Sequence, residues 1–182
     1  MNPFALAGCF LAAGLAASHA HAGAPGAHDF DFEIGTWKTH VKRLAQPLGG
    51  SQTWVELEGT SVVRKILDGR ANLVELDIAG PSGRIQGVSL RLFRPASGDW
   101  SLNYSSLRSG MLSPPLIGSF KEGRGEFYGR DTMDGRDIDV RFVITCPARD
   151  ECRFEQAFSA DGRKTWEVNW IATDTRVSGE PS

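Results

Sequence analysis

The segment Asp137-Ile138-Asp139-Val140-Arg141-Phe142-Val143-Ile144-Thr145 alternates between apolar and polar side chains, with Val143 as the one exception. Successive side chains of a β-strand point to opposite faces of its sheet, so a period of two predicts a strand with one buried face. The residues predicted to share that face are Ile138, Val140, Phe142 and Ile144. A single strand is not stable alone, so the neighbouring sequence must supply its partners.

The same period of two recurs on both sides of this segment, and short turns rich in Gly and Asp separate the repeats. The predicted strands are 36–44, 51–66, 71–79, 84–94, 99–107, 115–121, 124–132, 136–146, 152–159 and 164–174. Parallel neighbours need long crossover connections, and these loops are too short for them. We therefore predict an all-β fold, a single antiparallel up-and-down β-barrel of about ten strands, because closure removes the exposed edges.

The composition is that of a soluble globular protein of 182 residues, with 41% hydrophobic and 23% charged side chains. The sequence divides into a signal peptide at 1–22, a flexible leader at 23–29, the barrel domain at 30–177 and a disordered tail at 178–182. Lys and Arg total 20 against 22 for Asp and Glu, a net charge of −2. Such a balance predicts no nucleic-acid partner and no electrostatic attachment to an anionic membrane.

The first 22 residues have the features of an export signal. The apolar stretch Phe4–Ala17 has about 14 residues, too few to span a bilayer as a helix, and no later apolar run is longer, so no transmembrane segment is predicted. Ala20-His21-Ala22 supplies the small residues that a signal peptidase requires. We expect a periplasmic or secreted protein; the alternatives are a buried N-terminal helix and a lipoprotein processed at Leu6-Ala7-Gly8-Cys9.

Cys146 and Cys152 are the two cysteines that remain after cleavage of the predicted signal peptide. An even pair in an exported domain predicts a disulfide, here across the loop between two strands. Closing so short a loop stabilises a fold by roughly 2 kcal/mol. A pair of reactive thiols is the alternative, although redox sites more often have a C-x-x-C spacing.

Gly35-Thr36-Trp37 follows the short apolar run Phe30–Ile34 at the start of the first predicted strand. This arrangement resembles the first strand of lipocalins and of the wider calycin group. The resemblance implies that Gly35 allows a tight turn into the strand and that Trp37 plugs the closed end of the barrel. It also implies that Arg176, just past the last strand, stacks on Trp37 by a cation–π contact.

Further runs strengthen the resemblance, namely Arg91–Ala96, Trp100–Tyr104, Pro114–Gly118, Gly125–Gly129 and Glu155–Trp170. Together they resemble an uncharacterised exported bacterial family with a lipocalin-like barrel, which implies fold and export but no activity. Nitrobindin-like haem barrels, a neighbouring branch, use a histidine near the C-terminus. The histidines here are His19, His21, His28 and His40, so no haem or other cofactor is predicted.

Catalytic and metal motifs are not recognisable in this sequence, and we predict neither a metal nor a set of catalytic residues. The cluster Asp131, Asp134, Asp137 and Asp139 lies in one hairpin with three arginines, so we interpret it as a charged hairpin rather than a calcium site. An acid–base enzyme remains an alternative, with Tyr128 or a buried carboxylate as general acid. The candidate carboxylates are Glu56, Glu58, Glu75, Asp77, Glu126 and Glu155.

Aromatic and amide side chains on the predicted inner faces suggest a pocket, since ligand sites are mostly apolar with a few polar groups. The predicted ligand-binding residues are Tyr104, Tyr128, Gln156 and Trp170. The pattern of the last strand places Trp166, Val168 and Trp170 on one face. We therefore expect non-catalytic binding of a small hydrophobic or amphipathic molecule. The alternatives are the acid–base enzyme and an envelope protein-interaction module; no oligomeric state is predicted.

Overall fold

The structure, a computed structural model, describes residues 25–179. It contains ten β-strands and two short 3₁₀ helices, Asp31–Glu33 and Leu67–Gly69. The strands are β1 (Gly35–Leu44), β2 (Trp54–Ile66), β3 (Ala71–Gly80), β4 (Gly83–Arg94), β5 (Asp99–Ser106), β6 (Leu116–Lys121), β7 (Arg124–Met133), β8 (Arg136–Ala148), β9 (Glu151–Ser159) and β10 (Glu167–Ser178).

The ten strands form one closed antiparallel barrel in which each strand pairs with its neighbours in sequence. Pairing of β1 with β10 completes the closure and aligns Trp37 with Arg176 and Thr39 with Asp174. The predicted all-β up-and-down barrel is therefore confirmed. The predicted inner face of β8 is also confirmed, because Ile138, Val140 and Ile144 are buried in the interior and Phe142 packs against the core.

The predicted boundaries differ most from the structure at β10, which begins at Glu167 rather than at residue 164. The preceding loop is held by Asp161, whose carboxylate accepts hydrogen bonds from the backbone N–H groups of Lys164 and Thr165. These bonds use donors that a strand would need, so the strand cannot begin earlier. At its other end β10 continues to Ser178, into the segment that the sequence assigned to the disordered tail.

Residues 25–29 pack against the barrel and are not a flexible leader, so that prediction is wrong for these residues. The backbone carbonyl of Gly26 accepts hydrogen bonds from Asp29 N and from Trp100 Nε1, and Ala27 is buried. The segment is ordered because it covers the tryptophan and gives its N–H a partner. The predicted signal peptide, 1–22, lies outside the described residues, as does 180–182.

One end of the barrel is closed by an aromatic cluster beneath the N-terminal 3₁₀ helix. Phe30 makes edge-to-face contacts with Trp100 and Phe120, both at 4.9 Å between ring centroids. Phe127 stacks on the same ring at 5.8 Å. Such aromatic pairs stabilise a core beyond the area they bury, so this end is a filled hydrophobic core.

The contact predicted between Arg176 and Trp37 is present, with the guanidinium carbon 4.0 Å from the ring centroid. Arg176 also donates to the carbonyls of Ile34 and Phe32, which fixes the turn before β1. Gly35 adopts φ +135°, and a Cβ there would lie 2.3 Å from the carbonyl oxygen of Ser178. Only glycine fits this close approach of β1 to β10.

The predicted disulfide between Cys146 and Cys152 is confirmed. It joins β8 to β9 across their connecting turn, which lies at the closed end of the barrel. Cys152 is buried in the core cluster and Cys146 packs against it. The bond therefore ties two adjacent strands at the end of the barrel that the aromatic residues fill.

Candidate functional site

The half of the barrel away from the aromatic cluster encloses a cavity of about 390 Å³. Its wall is mostly apolar, and many of the side chains that face it are small. Val41, Val74, Val140 and Ala172 are examples, contributed by β1, β3, β8 and β10. In the closed half, by contrast, Trp37, Trp100 and Phe127 fill the interior from β1, β5 and β7. The interior is open because small side chains cannot fill the space inside a ten-stranded wall.

A buried ion pair lies at the floor of the cavity, where the two halves meet. Arg91 on β4 donates through both terminal guanidinium nitrogens to Glu33, which the N-terminal 3₁₀ helix contributes; the Nη2–Oε1 distance is 3.0 Å. The two side chains are only 5% and 3% exposed. Arg91 also stacks on Phe30, at 4.5 Å from the ring centroid. This bidentate geometry is the favourable one for an ion pair removed from water.

Asp174 on β10 is the second buried carboxyl group of the cavity wall and is 4% exposed. Burial raises its pKa to about 7; the negative charge of Glu33 acts in the same direction, while a hydrogen bond from Thr39 and the charge of Arg91 oppose it. Thr39 in turn hydrogen-bonds to Ser61 at 2.7 Å. Among residues 25–179, no group hydrogen-bonds to Asp174 Oδ1.

The mouth of the cavity lies beside the long connection between β5 and β6. Ser113 in this connection exchanges hydrogen bonds with the backbone of Tyr104, Ser113 N to Tyr104 O at 2.7 Å and Tyr104 N to Ser113 Oγ at 3.2 Å. The Tyr104 hydroxyl lies 2.5 Å from the position of a Cβ at Gly87, so glycine there makes room for the ring. Arg130 and Asp131 complete the rim with opposite charges.

Three of the four residues predicted to bind a ligand line this cavity: Tyr104, Gln156 and Trp170. Gln156 is held by a hydrogen bond from its Nε2 to Asn169 Oδ1 at 2.9 Å. Asn169 is buried because a β-bulge between Val168 and Trp170 shifts the register of β10. The structure places each of these side chains, and their contact with a ligand remains a prediction.

Tyr128 is not part of the cavity, and the prediction that it faces the interior is wrong. Phe127 is the inward residue of β7, so Tyr128 points to the outer face, where its hydroxyl donates to Glu126 at 2.9 Å. Trp166 contacts it there, at 6.1 Å between ring centroids. The predicted common face of Trp166 and Trp170 is also wrong, because Trp166 precedes β10 and the bulge follows it.

The carboxylates that the sequence proposed for acid–base chemistry lie outside the cavity. Alternation places Glu56, Glu58, Glu75, Asp77, Glu126 and Glu155 on the outer wall. The buried carboxyl groups of the interior, Glu33 and Asp174, were missed. Asp174 follows Trp170 and Ala172 at intervals of two, so the inward alternation of β10 contained the signal for it. Glu33 precedes the strand and had no such signal.

The described residues contain neither a metal-binding cluster nor a membrane-spanning helix. Within residues 25–179, no group of three or more His, Cys, Asp and Glu side chains is arranged to hold a metal ion. The helices in the same range are all too short or too polar to cross a bilayer.

Comparison with known proteins gives structural similarity only. No family model matches the chain, and no curated protein matches it. The S-type phycobiliprotein lyase CPES from Guillardia theta is 11% identical with a TM-score of 0.54, over 81% of this chain and 89% of that one. The ywiB protein from Bacillus subtilis, also 11% identical, aligns over 78% and 92% with a TM-score of 0.34. The likeness to the lyase shows the fold alone, a closed ten-stranded antiparallel barrel of calycin-like architecture.

Proposed function

We propose that this protein binds a small hydrophobic or amphipathic molecule in the barrel cavity without changing it chemically. The observation that carries the proposal is the cavity itself, about 390 Å³ of space with an apolar wall and a polar floor. Pockets for small ligands have volumes of roughly 300–1,000 Å³ and the same combination of apolar walls with a few polar groups. The volume lies at the lower end of that range, which favours a small ligand.

The polar floor supports the proposal independently of the volume. Within the described chain, Asp174 Oδ1 and Arg91 Nε are buried without hydrogen-bond partners. A buried polar atom without a partner costs about 1–3 kcal/mol, and the cost falls when a ligand supplies the missing bond. A ligand with one polar end would both fill the apolar space and reach this floor. The likeness to the phycobiliprotein lyase supports the barrel architecture and does not identify the ligand.

A fluorescence titration with N-phenyl-1-naphthylamine, a neutral probe that brightens in apolar surroundings, tests the proposal. We expect saturable binding to the wild type and loss of binding in Ala172→Phe, because Ala172 lines the cavity and a phenyl ring would occupy it. The matched control is Ala79→Phe, on the exposed outer face of β3, which is expected to bind as the wild type does. Equal binding by both variants, or none by the wild type, would contradict the proposal.

Tyr104, Gln156 and Trp170 are the side chains that we propose to contact the ligand, since all three line the cavity. Trp170 offers a direct readout, because a bound naphthyl probe accepts energy from a tryptophan beside it. Energy transfer is expected to fall sharply in Trp170→Phe and much less in Trp54→Phe, a substitution at the barrel rim. A larger loss of energy transfer in Trp54→Phe than in Trp170→Phe would contradict the assignment of Trp170 to the site.

Acid–base chemistry in the same cavity is a second candidate function, favoured by Asp174. Its pKa of about 7 suits a general acid or base at neutral pH. Native mass spectrometry of wild type and Asp174→Asn, each purified from its own host, separates the two functions. The variant of a binding protein should carry no molecule that is a precursor of the one in the wild type, whereas an enzyme variant should accumulate an unconverted molecule of different mass.

We also propose that the protein is exported to the periplasm or the medium. The signal-like sequence of residues 1–22 supports this proposal, and so does the disulfide, because such bonds persist in oxidising compartments. N-terminal sequencing of protein from the periplasm or medium is expected to begin at Gly23. Recovery of a chain that begins at Met1 in the cytosol alone would contradict export.

A further inference from the structure

The charges at the cavity floor do not balance when Asp174 is ionised. Glu33 accepts from both terminal nitrogens of Arg91, so this pair neutralises itself. Asp174 hydrogen-bonds to Thr39, which carries no charge. Its neighbours across the β1 and β9 pairings are Thr39 and Cys152, and Cys152 is held in the disulfide. The floor therefore has one excess negative charge that the surrounding side chains do not pair.

This charge belongs to a residue of the cavity wall. Asp174 lines the cavity, and its Oδ1 lacks a hydrogen-bond partner among the described residues. Among the described residues, the charged side chains of the wall near Asp174 are Glu33 and Arg91, whereas Arg130 and Asp131 belong to the rim at the opposite end. A ligand that reaches the floor would therefore lie beside the unpaired carboxylate of Asp174. Among residues 25–179, Arg91 offers only its Nε–H without a partner, and its positive charge is already paired with Glu33.

Resting on the binding function proposed above, we infer that the cavity selects amphipathic molecules whose buried end is a protonated amine and discriminates against carboxylate-headed molecules such as fatty acids. A protonated amine at the floor would be attracted by the unpaired charge of Asp174, and a charge-assisted hydrogen bond to this carboxylate would be stronger than a neutral one. A carboxylate would lie beside Asp174 and Glu33, and like charges at low dielectric repel strongly. An alcohol, which donates without charge, should fall between them.

Competition for the naphthyl probe by octylamine, octanol and octanoate tests the inference, because the three share one alkyl chain and differ only at the head group. The measurement belongs at about pH 8, where Asp174, with a pKa raised to about 7 by burial, is mostly ionised. Octylamine is expected to compete at least about tenfold better than octanoate, the effect of one hydrogen bond to a charged group. In Asp174→Asn, octylamine should lose that advantage.

The matched control is Asp134→Asn, which removes the same charge from an exposed turn outside the cavity lining. Asparagine tolerates the left-handed backbone at this position, φ 51°. This variant should keep the amine preference of the wild type. If Asp174→Asn does not fold, repeating the wild-type competition at about pH 6 replaces it, since protonation of Asp174 should shrink the same preference.

The outcomes separate this inference from the binding proposal. Equal or better competition by octanoate, or an amine preference that survives in Asp174→Asn, overturns the head-group selectivity while probe binding still supports a ligand cavity. Probe binding that none of the three molecules displaces also overturns the selectivity. Failure of the wild type to bind the probe at all contradicts the binding proposal itself.

Discussion

The closed half of the barrel and the half that holds the cavity share the same strands but differ in how their interiors are filled. In the closed half, Trp37 Nε1 donates to Glu33 O at 2.7 Å and Trp100 Nε1 donates to Gly26 O at 2.9 Å. In the cavity half, Asp174 Oδ1 has no partner within residues 25–179. Alternation along a strand therefore sets which side chains face inward, whereas their size and their partners decide whether the space is core or cavity.

The strongest test of this difference compares one tryptophan from each half. Trp37→Ala is expected to lower the free energy of unfolding by about 5 kcal/mol, since the ring is fully buried and stacks on Arg176. Trp170→Ala should cost at most about 2 kcal/mol, because its ring already borders open space. Urea unfolding followed by circular dichroism measures both values. Equal losses would mean that the two halves are packed alike.

Separating the ion pair at the boundary between the halves should have the next largest effect. Glu33→Leu leaves Arg91 buried and unpaired, so we expect a loss of about 3–5 kcal/mol in the free energy of unfolding. The double variant Glu33→Leu with Arg91→Met removes both charges and should lose clearly less. Urea unfolding of both variants is the measurement. A double variant as unstable as the single one would show that the pair itself stabilises the floor.

The raised pKa of Asp174 predicts that its contribution to the free energy of unfolding falls as the pH rises, which is opposite to the behaviour of the surface carboxylates with lowered pKa values. Its pKa is raised from 3.8 to about 7, so folding favours the protonated form. The stability that Asp174 contributes is therefore present at low pH and falls as the pH rises from about 4 to about 7. Relative to wild type, Asp174→Asn should gain up to roughly 4 kcal/mol across this range.

Paired urea unfolding curves of wild type and Asp174→Asn at several pH values measure this gain. The two proteins must be compared with each other because other carboxylates also change the stability with pH. The pKa values of Glu56, Asp77 and Glu126 are lowered, so these groups make both proteins more stable as the pH rises, and their effect cancels in the difference. If the difference in the free energy of unfolding between the two proteins did not change with pH, the pKa of Asp174 would not be raised and its carboxyl group would be solvated.

The disulfide should have the smallest effect of the four on stability and none on binding. Replacing Cys146 and Cys152 together by serine is expected to cost roughly 2 kcal/mol, the value for a loop of this length. The affinity for the naphthyl probe should not change, since neither cysteine lines the cavity. Reduced probe affinity at full folding would show that the closed end controls the shape of the cavity.

Most of the fold was predictable because its signals are local. Period-two alternation and Gly-rich turns located all ten strands, with β10 displaced where Asp161 holds the preceding loop. The contact between Trp37 and Arg176 followed from the resemblance to the calycin group. Local signals suffice here because each strand pairs with its sequence neighbour, and only β1 and β10 are distant in the chain.

The site was less predictable because it depends on register. Tyr128, on the outer wall, directly follows the inward Phe127, and aromatic character alone does not distinguish the two positions. The bulge before Trp170 moves a single residue out of register, and the sequence has no marker for it. Glu33 reaches the interior from a 3₁₀ helix that precedes the first strand, where alternation makes no prediction.

The sequence by itself determined a ten-stranded antiparallel wall, the inward face of β8 and the disulfide, because these depend on hydrophobic period, turn residues and spacing. Closure of that wall brings Glu33 into contact with Arg91, although the two residues are 58 positions apart in the sequence. It also places Asp174 opposite Thr39 in the β1–β10 pairing. Only the tertiary structure decided that one half is filled and the other open. The volume inside a barrel is a sum over side chains from all strands, and no single stretch of sequence contains it.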